Sequence, residues 1–447
     1  MSPPGRPKGE YRSAQHEGSP VTPPGRPKGE YRSAQHEGSP VTPPGRPKGE
    51  YRSAQHEGNP VTPPGRPKGE YRSAQREGSP VNLSAVTRAP SWITFQLLEH
   101  CNLRCRMCYE WGETGAYHAR QKLATLELPL VLRTVDECLP TRPLFEFFGG
   151  EPLLYAGIFD VIARIRDGGC KLAFPTNGTL LEAHAERLVA TAPTRIWVSL
   201  DGPEEINDRQ RGAGVFRHAL RGIEAIGRHK RAAASRYPEL GITYVVTPDN
   251  FRHIETFFLE AVDLSALSCV SIELQSYATA DQAREYREAL QREFGVTATP
   301  CADAYVRDPA VFAGVDVDSV TRQMASVSRA CAERGIVFYS QPKTLAADNL
   351  RRYFAADWRA MADWKPRCGV PWVAAEISAR GDVTTCHTFY DLPLGNIHEQ
   401  SLLEIWRGAA VERVRTYLRG QLFPICTACC RYYGGAGALS TKAARDG

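Results

Sequence analysis

Short runs in which apolar and polar residues alternate recur between residues 93 and 274, and longer runs with helical spacing separate them. Alternation places one side of a strand in a core, whereas apolar residues spaced three and four apart favour an amphipathic helix. The predicted strands are Ile93–Leu97, Leu144–Phe148, Lys171–Pro175, Arg195–Leu200, Gly241–Thr247 and Val270–Leu274. The predicted helices between them are Leu126–Leu139, Ile158–Arg166, Leu180–Ala190, Phe216–His229 and Ile254–Val262. This succession predicts an α/β fold for residues 83–280, a parallel sheet curved into a partial (β/α)6 TIM-like barrel.

The pattern changes after the sixth strand. Residues 281–365 look helical, with Asp281–Phe294 and Val317–Arg334 as the clearest segments. We expect a helical bridging region here, in which Ile336–Tyr339 forms a further strand leading into the next domain.

The last part of the chain predicts a small cysteine-rich α+β domain over residues 366–433, followed by a tail over residues 434–447. Gly381 and Asp382 fit the tight turn of a hairpin whose second strand delivers Cys386. Leu402, Leu403, Ile405 and Trp406 provide the apolar side of a helix that leads towards the last cysteines.

The chain begins with four near-identical copies of a 20-residue unit over residues 3–82. Each copy offers only Tyr and Val among prolines, glycines and charged residues, too little apolar surface for a stacked repeat, so residues 1–82 are predicted to be disordered. One interpretation is that residues 1–82 come from a repeated DNA segment, included in the protein because the start codon was placed too far upstream. The alternative is a fused peptide substrate with one target tyrosine in each copy, at Tyr11, Tyr31, Tyr51 and Tyr71.

Charge and cysteine usage narrow the class of protein. Residues 1–82 hold 13 Lys and Arg against 8 Glu and thus carry the entire formal net charge of +5. The folded part is neutral, so we expect no nucleic-acid partner.

No apolar run of about 18 residues is present, and the polar, proline-rich N-terminus is no secretory signal. An odd number of cysteines, 13, several of them in metal-type spacings, favours a reducing cytoplasm over a disulfide framework.

The candidate chemistry centres on three thiols that follow the first strand. Cys101, Cys105 and Cys108 are spaced x3 and x2 in one short loop. Such a loop can ligate three irons of a 4Fe-4S cluster and leave the fourth iron open for a cofactor. Two alternatives are a zinc site that lacks its fourth ligand and a chance cluster of buried thiols.

Two further motifs follow predicted strands in the order of a known family. Gly149-Gly150-Glu151-Pro152 follows the second strand, and Ser199-Leu200-Asp201-Gly202-Pro203 follows the fourth. Together with the cysteine loop, these motifs over residues 90–278 resemble the radical S-adenosylmethionine (SAM) superfamily. The resemblance implies a SAM-binding 4Fe-4S cluster with an open iron, a 5'-deoxyadenosyl radical, and a flavodoxin-type reductase as electron donor.

The resemblance also implies cofactor contacts. Glycines 149 and 150 let the backbone approach a ligand closely, and Glu151 can accept hydrogen bonds from the ammonium group of SAM. Ser199 and Arg211 match the positions for ribose and carboxylate contacts, with Arg209 as a rival for Arg211. The candidate cofactor-binding residues are Gly149, Gly150, Glu151, Pro152, Ser199, Arg211 and, for adenine packing, Tyr109.

Four C-terminal cysteines predict a second metal centre. Cys368, Cys386, Cys426 and Cys429 offer four thiolates, enough to close one auxiliary 4Fe-4S cluster, with Cys430 as an alternative to Cys429. Their order resembles the SPASM domain in its shortened, twitch-like form. A four-cysteine zinc site is the alternative.

These features favour a radical SAM oxidoreductase that abstracts hydrogen from a peptide or protein side chain, since many SPASM proteins modify peptides. Oxidation of a small molecule, such as a sugar or aminocyclitol, is the alternative within the same chemistry. A non-catalytic metal-binding scaffold is the alternative from another class. No catalytic acid or base is identified, although Glu273 and Gln275 lie at the predicted end of the sixth strand.

Overall fold

The structure, a computed structural model, describes residues 88–118, 120–386 and 390–433, except for the side chain of Cys430. Within these residues one sheet has the strand order β7-β6-β5-β4-β3-β2-β1-β8-β9. Its strands are β1 Trp92–Gln96, β2 Leu144–Phe148, β3 Lys171–Thr176, β4 Arg195–Ser199, β5 Glu239–Val246, β6 Cys269–Leu274, β7 Val337–Gln341, β8 Ala374–Ile377 and β9 Val383–Thr384. Every neighbouring pair is parallel except β8 with β9. The predicted α/β class with a parallel sheet is confirmed.

Helices connect the strands at the expected places. The α-helices are Leu128–Cys138, Ile158–Asp167, Leu181–Thr191, Glu204–Arg211, Val215–Ala232, Ile254–Thr256, Ala280–Phe294, Pro300–Asp303, Val317–Glu333, Ala347–Phe354, Leu402–Arg407, Ala409–Gly420 and Cys430–Tyr433. The helix predicted over Ile254–Val262 differs in kind, because only its first turn is α-helical and Phe257–Ala261 is a π-helix.

Three strands, β7, β8 and β9, extend the sheet beyond the six predicted for the barrel. Val337–Gln341, expected to lead into the next domain, pairs in parallel with β6. Ala374–Ile377, which belongs to the C-terminal cysteine region, pairs in parallel with β1 on the side opposite β2. The C-terminal region is therefore joined to the barrel by strand pairing.

The two faces of β1 carry different chemistry. Ile93 and Phe95 are fully buried in the apolar core, as the alternation predicts. Thr94 and Gln96 are equally buried but point to the other face of the sheet, because successive side chains of a strand alternate. Thr94 pairs in register with Glu146 of β2 and with Glu376 of β8. The interior of the barrel is therefore polar at this point.

A buried carboxylate holds the C-terminal region against the segment that follows β1. Glu99 is 1% exposed and accepts a hydrogen bond of 3.0 Å from the Arg380 guanidinium, which lies in the β8–β9 turn. Glu99 also pairs with Arg120 and accepts a hydrogen bond of 2.9 Å from the backbone N–H of Ala124. Four donors thus converge on one carboxylate, since Arg380 uses a second nitrogen as well.

Some sequence-based expectations concern residues beyond the described ones. The repeats of residues 1–82 and the tail of residues 434–447 lie outside the described part of the chain. Within that part, the helices are too short or too polar to span a bilayer.

Replacing Glu99 tests this contact. We expect Glu99→Gln to lower the free energy of unfolding by about 2 kcal/mol, because charge-assisted hydrogen bonds from two guanidinium groups are weakened in a buried place. Anaerobic urea denaturation of the cluster-loaded protein measures the change.

Glu205→Gln is the matched control. Glu205 also pairs with an arginine, Arg209, but the two side chains are 86% and 55% exposed. Exposed pairs contribute little, so the control should stay within about 0.5 kcal/mol of the wild type. Equal losses in both variants would contradict the role given to Glu99.

Candidate active site

The three-thiol loop leaves the carboxyl end of β1 and is fixed by backbone contacts. The N–H of Cys108 donates to the carbonyl of Cys105 at 3.1 Å, and the N–H of Arg106 donates to the carbonyl of Gln210 at 2.9 Å. Backbone N–H groups also approach two sulfur atoms. The N–H of Leu103 lies 3.4 Å from Cys101 Sγ, and that of Trp111 lies 3.3 Å from Cys108 Sγ. Such donors favour sulfur in its anionic form.

Burial shifts the pKa of all three thiols upwards. It raises the pKa of both Cys101 and Cys108 to about 12. Burial also raises the pKa of Cys105, while the positive charge of Arg211 opposes this shift. A thiol that ligates a metal is deprotonated, so a cluster bound at this loop would replace the protons of all three thiols.

The described residues contain no group of three or more His, Cys, Asp or Glu side chains arranged to hold a single metal ion. A cubane cluster binds each of its thiolates to a different iron. The thiolates that ligate a 4Fe-4S cluster therefore surround a larger group than the ligands of a single zinc ion do.

The Gly149–Pro152 segment packs directly on the cysteine loop. Gly149 and Gly150 have φ angles of +73° and +55°, which favour glycine. A Cβ atom on Gly149 would lie 2.5 Å from the Gln96 side chain, and one on Gly150 would collide with the carbonyl oxygen of His100. The glycines were expected to admit a ligand. In the structure, the atoms that require glycine there belong to the protein itself.

Glu151 is held in place by three donors. Its carboxylate accepts hydrogen bonds of 3.1 Å from the N–H of Leu153, 2.8 Å from the Thr176 hydroxyl and 2.8 Å from the N–H of Asn177. A carboxylate has about four lone-pair positions, so about one remains for an ammonium group. The predicted contact with SAM is compatible with this arrangement, and the contact stays a prediction.

The structure separates the two rival arginines. Arg211 is 9% exposed, and its Nε donates to Asp201 at 2.6 Å. Its backbone carbonyl lies 4.0 Å from Cys105 Sγ, which places the residue beside the cysteine loop. Arg209, in contrast, is more than half exposed and pairs with Glu205. Of the two, Arg211 is the buried arginine beside the cysteine loop, and its contact with the carboxylate of SAM stays a prediction.

Ser199 and Tyr109 lie at the same end of the sheet. Ser199 is the last residue of β4, opposite Thr243 of β5. Tyr109 follows the third cysteine, and its ring stacks on that of Tyr305 with a centroid distance of 4.5 Å. Phe148, at the end of β2, extends this stack at 6.5 Å. The predicted adenine contact of Tyr109 would thus be made by a ring that already has aromatic neighbours.

The four C-terminal cysteines come together. Cys368, Cys386, Cys426 and Cys429 line one shared cavity. Burial raises the pKa of Cys368 to about 12, and a hydrogen bond with Cys429 together with burial raises the pKa of Cys386 well above its ordinary value. This donor set, four cysteines around one cavity, suits a closed cluster with four thiolates. Because the side chain of Cys430 is outside the described residues, the choice between Cys429 and Cys430 stays a prediction.

Several polar residues of the site were missed by sequence reasoning. Gln96 donates to Glu110 at 2.9 Å and accepts a hydrogen bond of 3.1 Å from the N–H of Ala379, so it links the cysteine loop to the C-terminal region. Burial raises the pKa of Glu110 to about 7. The Asn177 amide lies 4.0 Å from Cys101 Sγ. A polar residue at the end of a predicted strand is the signal that could have identified Gln96 and Asn177.

Comparison with protein families decides the class. The family model described as "Radical SAM superfamily" matches residues 96–260. The model described as an iron-sulfur cluster-binding domain, SPASM, matches residues 368–430. These ranges contain all seven cysteines of the two sites.

This chain belongs to the radical SAM superfamily. It is a radical SAM enzyme with a C-terminal SPASM domain, and the two domains imply 4Fe-4S clusters and SAM as cofactors.

Similar curated proteins include other radical SAM enzymes. An AdoMet-dependent heme synthase of Methanosarcina barkeri is 26% identical over 349 residues, which are 74% of this chain and 85% of that protein. One of Oleidesulfovibrio alaskensis is 29% identical, but the match spans only 39% of this chain and 43% of the relative. The mycofactocin maturase MftC of Mycobacterium ulcerans is 28% identical over 38% of this chain and 43% of its own length.

Among solved structures, that of native anSMEcpe with bound AdoMet is similar to this chain, with a TM-score of 0.50 and 17% sequence identity. The match covers 78% of the present chain and 95% of anSMEcpe. At this identity the likeness concerns the fold alone.

The tight packing at Gly150 gives a direct test of the radical SAM site. We expect Gly150→Ala to displace the cysteine loop, because the new Cβ would collide with the His100 carbonyl oxygen. Iron bound after anaerobic reconstitution should fall from about eight to about four atoms per chain, with the auxiliary cluster retained.

Gly169→Ala is the matched control. Gly169 also has a positive φ, +70°, but a Cβ there meets nothing within 4 Å. This variant should therefore keep the iron content of the wild type. If Gly150→Ala also keeps about eight irons, the loop does not depend on this packing.

Proposed function

We propose that this radical SAM enzyme cleaves SAM reductively at the Cys101–Cys108 loop and abstracts hydrogen from a peptide or protein side chain held inside the barrel. With cluster and SAM bound, the cofactors supply a 5'-deoxyadenosyl radical. The protein itself positions the substrate and excludes water. The observation that carries the proposal is the joining of both thiol sets in one sheet, through the pairing of β1 with β8.

Two buried polar atoms support a polar substrate inside the barrel. Among the described residues, Gln341 Oε1 and the Tyr390 hydroxyl have no hydrogen-bond partner. Gln341 pairs in register with Glu273 on the β6–β7 side. Tyr390 lies near Glu110 and Glu376, on the β1–β8 side. Buried polar atoms are normally paired, so unpaired ones facing an interior favour a ligand that supplies the missing hydrogen bonds.

Two substrate classes have support from different relatives. The likeness to a mycofactocin maturase supports the maturation of a peptide, which is the class we propose. The likeness to heme synthases, one of which matches over most of this chain, favours a small molecule as the second candidate.

The proposed reaction is tested by anaerobic reconstitution with iron and sulfide, followed by addition of reductant and SAM. We expect release of 5'-deoxyadenosine by the wild type and none by Cys101→Ser. Cys170→Ser is the matched control, because Cys170 is a partly buried thiol outside both sites, and this variant should retain the activity. Zinc held without any cleavage of SAM would contradict the proposal.

Substrate class is tested with deuterium. A deuterated peptide substrate should transfer deuterium into 5'-deoxyadenosine, whereas deuterated heme precursors should not. Transfer from the heme precursors alone would favour the second candidate.

Removing the unpaired atoms of Gln341 and Tyr390 should have opposite effects on stability and on turnover. We expect Gln341→Met and Tyr390→Phe to raise the melting temperature of the substrate-free protein slightly, because each removes an unpaired buried polar atom. With substrate, kcat/KM should fall about tenfold, since the hydrogen bond to the ligand is lost.

Tyr277→Phe serves as control for these variants. The Tyr277 hydroxyl is buried and already donates to the carbonyls of Tyr353 and Phe354. Its loss should therefore lower the melting temperature. Lower melting temperatures for Gln341→Met and Tyr390→Phe would exclude a ligand-facing role for the two atoms.

A further inference from the structure

Arg431 connects the auxiliary site with the barrel interior. It lies two residues beyond Cys429, lines the four-cysteine cavity, and is 8% exposed. Its guanidinium donates to Glu146 of β2 at 2.7 Å and to Glu376 of β8. The Cζ atom of the Arg431 guanidinium also lies 3.9 Å from the centre of the Trp92 ring. An arginine of the SPASM domain therefore reaches the inner face of the radical SAM barrel.

Strand register explains why two carboxylates meet one arginine. Glu146 and Glu376 both stand opposite Thr94 of β1, one on each side. All three side chains therefore point to the same face of the sheet, and Arg431 also approaches the Thr94 hydroxyl at 3.4 Å. Replacing Arg431, Glu146 or Glu376 would leave the remaining charged side chains without a partner in the protein interior. Electrostatic interactions are strong there because the local dielectric constant is low.

Both kinds of charge lie close to the auxiliary thiols. Arg431 shares the cavity with the four cysteines. Glu376 is fully buried and stands opposite Thr384 of β9, which lines the same cavity. One-electron reduction adds one negative charge to an iron-sulfur cluster, so a nearby positive charge favours reduction and a nearby negative charge opposes it.

We propose that Arg431 and Glu376 act as an opposed pair of positioning residues that sets the electron affinity of the auxiliary cluster from inside the barrel. This inference rests on the proposed function and on the assignment of a 4Fe-4S cluster to the four C-terminal thiolates. Because the same two side chains face the space proposed for substrate, the charge that the cluster experiences is linked to the substrate site.

The test is a potentiometric titration of the auxiliary cluster, followed by electron paramagnetic resonance. The full chain carries Cys101→Ser, Cys105→Ser and Cys108→Ser, so that only the auxiliary cluster contributes to the spectrum. In this background, Arg431→Met should lower the ratio of reduced to oxidised cluster at a fixed potential about tenfold, a fall of about 59 mV. Glu376→Gln should raise the ratio by a similar factor, and Arg431→Lys should change it less than Arg431→Met.

Arg415→Met is the matched control. Arg415 is a second buried arginine of the same domain, 2% exposed, which donates to the carbonyls of Pro371 and Trp406. It contacts neither Glu146 nor Glu376 in the hydrogen bonds and ion pairs of the described residues. Its replacement should change the ratio less than twofold.

The outcomes are separable. Shifts of opposite sign for Arg431→Met and Glu376→Gln support the inference, because a purely structural role would not reverse sign. Shifts in one direction, or shifts no larger than that of Arg415→Met, overturn it. If Arg431→Met loses its cluster, the sign of the Glu376→Gln shift decides alone. If the background variant without further substitution shows no auxiliary cluster signal, the assignment of a cluster to the four C-terminal thiolates is overturned, and the inference with it, whereas the proposed cleavage of SAM is tested separately by release of 5'-deoxyadenosine.

Discussion

The parallel pairing of β1 with β8 is the interaction on which the rest of the site depends. It places β1 between β2 and the first strand of the SPASM domain, so the three-thiol loop that leaves β1 is bounded by both domains. Gln96 at the end of β1 and Glu99 just beyond it then bond to Ala379 and Arg380 of the C-terminal region. One strand thus fixes the geometry of the radical site and the position of the auxiliary site together.

Burial makes this arrangement sensitive to charge. The inner face of the sheet carries Glu146, Glu376 and Arg431, and the outer contacts of the cysteine loop include Glu99 and Glu110. Unpaired charges are costly in such places, whereas paired ones fix a unique geometry. A radical enzyme needs that fixed geometry, because the radical carbon must lie close to one hydrogen atom of the substrate and away from the others.

Much of the fold follows from the pattern of the sequence, because strands and helices of a parallel α/β sheet have strong periodicity. The predicted strand Leu144–Phe148 agrees with the structure at both ends, and Asp281–Phe294 differs from its helix by one residue. The seven cysteines could be assigned because ligand spacing is local. The attachment of β8 to β1 could not be predicted, since it joins residues almost 300 apart. For the same reason, no local pattern connects Arg431 with Glu146, and the neighbours that require glycine at 149 and 150 appear only after folding.

We propose that SAM binds the cluster of the Cys101–Cys108 loop and not that of the SPASM domain. Electron-nuclear double resonance with isotopically labelled SAM distinguishes the two clusters, with Cys101→Ser and Cys386→Ser used to assign the signal of each. We predict coupling of the label only to the signal that Cys101→Ser removes. Coupling to the signal that Cys386→Ser removes, or to neither signal, would show that SAM does not bind the cluster of the Cys101–Cys108 loop.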